Sequence, residues 1–166
     1  VGITRVFKYL AGAALVISAL MLAGLNETMT TSTTSTAASS AEHSSVGLKS
    51  EPYSPERLKA LIADGPVFVN FTAAWCITCK VNDIAALSSD KIEAVFKDNG
   101  VSYVVGDWTN EDPTITRALS EYGRSGVPLY LLYRKGASKA EVLPQILTES
   151  IVIGAIENLG SELESE

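Results

Sequence analysis

The sequence predicts an α/β domain in three layers, with helices on both faces of a mixed sheet. Three observations predict it. From Ser54 onward, short apolar runs alternate with runs of helical periodicity. The last apolar runs are joined by a short Gly-containing turn, which marks a hairpin closing an otherwise alternating order. The junction between the first strand and the second helix carries Trp75-Cys76-Ile77-Thr78-Cys79-Lys80, and this motif holds both cysteines of the 166-residue chain.

The elements follow in order. Ser54-Pro55-Glu56 opens a helix, with Ser as cap and Pro at the first helical position. Leu58, Leu61 and Ile62 recur at helical spacing, and Gly65-Pro66 ends the helix. Residues 67–71 read as a strand apolar on both faces, hence buried. Residues 76–88 read as the second helix, with Val81, Ile84, Ala85 and Leu87 available for packing. Ile92, Val95 and Phe96 form a further short helix closed by Asn99-Gly100, and residues 101–105 form the second strand. The polar stretch 107–112 reads as an acidic helix-entry loop, before a helix started by Pro113 and terminated at Gly123. Trp108 within that stretch reads as core. Leu129–Tyr133 is the third strand, Arg134-Lys135-Gly136 the turn and Glu141–Leu143 its hairpin partner. Thr148 caps the last helix, whose apolar side is Ile151, Val152, Ala155, Ile156 and Leu159.

Two cysteines at i and i+3 in the first turn of a helix lie on one side, close enough to bond or to exchange. The helix N-terminus favours a thiolate through its partial positive charge and free N–H groups. This is the layout of a dithiol/disulfide redox site. Two plainer readings stand beside it. A structural zinc site needs about four ligands, and the single histidine, His43, lies apart in a Ser/Thr-rich stretch. A purely structural disulfide over so short a loop would constrain the unfolded chain little. The helix start makes Cys76 the more exposed and more acidic thiol and leaves Cys79 shielded.

Before this domain the composition changes. Arg5 and Lys8 precede an apolar run at 9–25, about the lower limit for a membrane-spanning helix. It reads as a signal peptide, an uncleaved anchor, or the last helix of a longer membrane protein; the poor small-x-small cleavage site favours a retained helix at 1–25. All three send the remainder across a membrane, with the positive end cytoplasmic. Residues 26–47, dominated by Ser, Thr and Ala, read as a flexible linker, and 48–160 as the folded domain. Residues 161–166 read as a solvated acidic tail. From Val46 onward the chain is acidic and carries the whole net charge of -6. Without a Lys/Arg patch, nucleic acid is excluded as a partner.

The order of elements, with Trp-Cys-x-x-Cys-Lys after the first strand and Val127-Pro128 before the hairpin, resembles the thioredoxin fold. Three blocks are more specific: residues 71–82 around the cysteines, Asp107-Trp108-Thr109-Asn110-Glu111-Asp112-Pro113, and Gly123-Arg124-Ser125-Gly126-Val127-Pro128-Leu129-Tyr130. They resemble the C-terminal domain of the DsbD family, membrane thiol:disulfide interchange proteins that carry reducing equivalents outward. The similarity covers about residues 53–159. It implies a protein-disulfide reductase in which Cys76 is the nucleophile, Cys79 the resolving thiol, and Cys76-Cys79 the redox-active disulfide. Pro128 would be a cis-proline beside the disulfide, and Asp83 an acid near the thiols. Trp75 stands next to the nucleophile. The family's acid beneath the active site is here Asn70, which is expected to be buried and hydrogen-bonded. No organic cofactor and no metal is implied. The implied partners are periplasmic redox proteins with disulfides and a transmembrane dithiol electron donor. The implied location is the bacterial inner membrane, with the domain in the periplasm. A reductant for cytochrome c maturation and a copper- or zinc-binding thiolate module are the alternatives.

Overall fold

A computed structural model describes residues 47–161. The expected membrane helix at 1–25, the linker expected at 26–47 apart from Gly47, and the acidic tail expected at 161–166 apart from Ser161 lie outside the described residues. Among the described residues no helix is long and apolar enough to cross a membrane.

Five strands form one mixed sheet: β1 (Ser50–Pro52), β2 (Val67–Thr72), β3 (Ser102–Asp107), β4 (Leu129–Tyr133) and β5 (Glu141–Leu143). Their spatial order is β1-β3-β2-β4-β5. The β1, β3 and β2 strands run parallel, β4 pairs antiparallel with β2, and β5 closes the hairpin on β4. The helices are α1 (Pro55–Asp64), α2 (Ile77–Asn82), α3 (Asp90–Asp98), α4 (Pro113–Glu121) and α5 (Glu149–Ser161). Parallel neighbours need crossover connections, and helices supply them.

Sheet alternation sorts the side chains into two cores. Along β2, Val67, Val69 and Phe71 enter the layer under α1 and α4, with Leu58, Leu61, Ile115 and Leu119. Phe68 enters the opposite layer with Leu87, Ile92, Phe96, Val152 and Ile156, from the segment after α2, α3 and α5. Every residue of β2 is buried, which is why its sequence is apolar on both faces apart from Asn70 and Thr72. Full burial of a side chain such as Phe68 or Leu131 contributes about 1.5–3 kcal/mol. Gly106 pairs with Phe71 in the β2–β3 register, and a Cβ there would overlap the Phe71 ring.

The helix ends are local in origin. The Ser54 hydroxyl accepts from the Arg57 amide at 3.1 Å, as the cap reading requires. At the end of α4, Gly123 has φ +66°, and the Gly123 and Arg124 amides donate to the Ser120 and Leu119 carbonyls. This is a Schellman closure, and Gly adopts the left-handed conformation without steric cost.

Two features depart from the sequence reading. Strand β1 was not expected; it is three residues long and adds to the edge of β3. The second helix is not α-helical to Ser88: after Asn82 it widens into a π-helical turn, Asp83–Leu87. Val81 and Ile84, expected in the core, are 56% and 77% exposed, and Ala85 is exposed too. The buried positions are Cys79, Asn82, Ala86 and Leu87.

Candidate redox site

The site is built where β2 ends and α2 begins. Cys76 is the N-cap of α2, and its sulfur accepts from the Cys79 amide at 3.2 Å. The two cysteines form a disulfide with a Cα–Cα distance of 5.3 Å. Cys76 is 6% exposed and Cys79 is fully enclosed, so Cys76 alone has an approach from solvent. Ala73 and Val127 pack directly on the pair. The Val127-Pro128 peptide is cis. In a reduced site the same N–H that meets the Cys76 sulfur would favour its thiolate.

The loop after β3 buttresses the motif. The Thr109 hydroxyl accepts from the Ala74 amide at 2.8 Å and is itself bonded to Asp107. Trp75 is 55% exposed, and its indole N–H donates to the Thr109 carbonyl at 3.2 Å. The Trp75 ring lies 5.9 Å from that of Trp108, which is buried and donates to the Thr116 hydroxyl. Asp112 caps α4 by accepting from the Thr114 and Ile115 amides. The acidic loop therefore has two jobs, capping α4 and holding the strand–helix junction. Thr109 was missed by sequence reasoning, because its hydrogen bonds reach 34 and 35 residues back.

Polar side chains are buried in β2 and at the end of α2. Asn70 is 1% exposed and donates through Nδ2 to the Tyr103 hydroxyl at 2.8 Å and to Asp83 Oδ1 at 3.3 Å. Its own Oδ1 is buried with no hydrogen-bond partner. Asp83, half-buried, thus points inward toward Asn70. Asn82 is buried as well and binds the Tyr130 hydroxyl. Burial holds the Tyr130 phenol far above its ordinary pKa against the opposing Asn82 bond, so it keeps its proton. The structure thus joins Asn70 to Asp83 by a hydrogen bond, ties Trp75 to Thr109, and packs Val127, the residue before Pro128, on the cysteines. Among the described residues no group of three or more His, Cys, Asp or Glu converges on a metal-sized site.

A family model described as thioredoxin-like matches residues 52–135. No curated protein sequence matches the chain. Among solved structures, the oxidised C-terminal domain of DsbD from Neisseria meningitidis is similar at 26% identity and a TM-score of 0.52. It aligns over 63% of this chain and 95% of its own. The reduced form of that domain shares 24% identity at a TM-score of 0.53, over 65% of this chain and 98% of that one. A thioredoxin from Thermus thermophilus shares the fold at 18% identity and a TM-score of 0.55, over 69% and 88%. The family match spans β2, β3 and β4, the disulfide and the cis-proline together, and the chain belongs to the thioredoxin-like family.

Proposed function

We propose that the protein is a membrane-tethered thiol:disulfide reductase of the DsbD type, working on the periplasmic side of a bacterial inner membrane. The observation that carries this reading is the asymmetric pair, a Cys76 that keeps a sliver of solvent exposure and a Cys79 that has none, at the start of α2. The 26% identity to an oxidised DsbD C-terminal domain supports the narrower choice within the thioredoxin-like family. The apolar run at 9–25, with Arg5 and Lys8 before it, supports the tether.

The chemistry follows from the geometry. In the reduced protein the Cys76 thiolate attacks one sulfur of a partner disulfide. A mixed disulfide forms, and the other partner sulfur leaves as thiolate and takes a proton. Cys79, deprotonated, then attacks the Cys76 sulfur and releases the partner's second thiol. The protein ends as the observed disulfide and the partner has gained two electrons and two protons. A transmembrane dithiol would restore the reduced state. Trp75, Ile77, Val81 and Ile84, each more than half exposed and within eight residues of Cys76 in the chain, offer apolar surface to such partners.

The test has three arms. Equilibration in redox buffers should place the Cys76–Cys79 couple near the thioredoxin value of about −270 mV; a value near −120 mV would identify an oxidant instead. Cys79→Ser should trap mixed disulfides with partner proteins and Cys76→Ser should not. The full chain should remain with membranes through alkaline extraction, and release would remove the tether from this reading.

A further inference from the structure

Asn82 lies three residues beyond Cys79 on the buried side of α2. Both of its amide hydrogens are used: Nδ2 donates to the Tyr130 hydroxyl at 2.9 Å and to the Gln145 carbonyl at 2.7 Å. Its oxygen accepts from the Leu147 amide at 3.2 Å. These partners belong to β4 and to the segment between β5 and α5. Gln145 then reaches back, and its Nε2 donates to the Pro128 carbonyl at 3.5 Å. A directional path therefore runs from the helix that carries the sulfurs, through Asn82 and Gln145, to the carbonyl of Pro128, the proline of the cis peptide.

The inward side of a packed helix is ordinarily apolar, because an amide there costs stability unless it is bonded. Val127 packs on the cysteines, and that contact is non-directional. Asn82 supplies what packing cannot: a fixed distance and angle between two elements far apart in sequence. It touches neither sulfur in any hydrogen bond, so its influence falls on the edge and not on the exchange step itself.

Resting on the oxidoreductase reading above, we propose that Asn82 is a positioning residue. Through Gln145 it holds the Val127-Pro128 edge against α2, and so sets how well an extended peptide is held for exchange. An extended chain binds such an edge by backbone hydrogen bonds, which require a fixed partner geometry.

Two probes with the same leaving group separate binding from sulfur chemistry. One is an extended peptide whose cysteine is blocked as a thionitrobenzoate mixed disulfide. The other is dithiobis(nitrobenzoate), which has no peptide. The pre-reduced full chain attacks either through Cys76, expels thionitrobenzoate, and is oxidised as Cys79 displaces what remains. For Asn82→Ala the peptide concentration at half-maximal rate should rise about fivefold, the loss expected for one good hydrogen bond. The saturating rate and the rate with dithiobis(nitrobenzoate) should stay within about twofold of wild type. Gln145→Ala, at an exposed side chain, should shift peptide half-saturation in the same direction and keeps the test available if Asn82→Ala does not fold. A parallel fall with both probes, or unchanged half-saturation in Gln145→Ala, would overturn the positioning role. A wild-type protein inert to dithiobis(nitrobenzoate) would overturn the oxidoreductase reading itself, which the positioning result alone cannot do.

Discussion

At position 70 an amide stands where an acid would change the chemistry of the site. Asn70 is buried and bonded to Tyr103 and Asp83, and it cannot take the Cys79 proton, because an amide does not titrate. Proton release during the second exchange step must therefore pass to solvent or to Asp83. Asn70→Asp would set two carboxyl groups about 3.3 Å apart, the present Asn70–Asp83 separation. Two carboxylates at that distance do not both ionise, so one would hold a proton toward neutral pH. The variant should resolve mixed disulfides faster, with new pH dependence between about 6 and 8, and lose about 1–3 kcal/mol of stability. Stopped-flow decay of a mixed disulfide and a urea titration check the two parts. An unchanged or slower decay would show that position 70 does not govern proton transfer. The burial of Asn70 was legible from its place in an apolar strand. Its partners were not, since Tyr103 lies 33 residues away.

At the scale of elements, the helix after the cysteines is the instructive case. Its apolar content read as packing surface, yet Ile77, Val81 and Ile84 face outward. The phase of the helix is set by Cys79, which must point inward. At about 100° per residue from Cys79, Val81 and Ile84 fall on the far side while Asn82 and Ala86 fall near it. The π-helical turn then adds Leu87 to the buried side. A second element-level device joins α5 to α3. Ser89, the N-cap of α3, donates to Glu149 at 2.8 Å, and Lys91 lies 3.2 Å from the same carboxylate. These bonds, the serine first, hold the Glu149 carboxyl below its ordinary pKa. A folded-state pKa below the unfolded one gives stability above the unfolded value that is lost as pH falls through the folded value. Glu149→Gln should therefore lower Tm at pH 7, and the gap from wild type should close below about pH 4. Thermal melts of both proteins across that range check it.

For the whole molecule, the described residues contain one complete sheet covered on both faces, with the redox site at one end of β2. Every strand and helix positioning the cysteines lies within Gly47 and Ser161. A protein beginning at Val46 should therefore unfold in one cooperative transition and keep dithiol exchange through Cys76. Circular dichroism melts and thionitrobenzoate release check this. Failure to fold would mean that residues before Val46 belong to the domain.

The sequence by itself determined the order of strands and helices after Ser54, the helix caps, the hairpin and the seat of the cysteines at a helix start. Those features depend on neighbours within a few residues, where periodicity and turn chemistry act. Tertiary structure alone decided which face of α2 is buried, the edge pairing of β1, the inward turn of Asp83 and the grip of Asn82 on Tyr130 and Gln145. Those two partners of Asn82 lie 48 and 63 residues away. The physical reason is that a hydrogen bond or packed face of that span exists only once the sheet has brought the segments together, so no local pattern of residues encodes it.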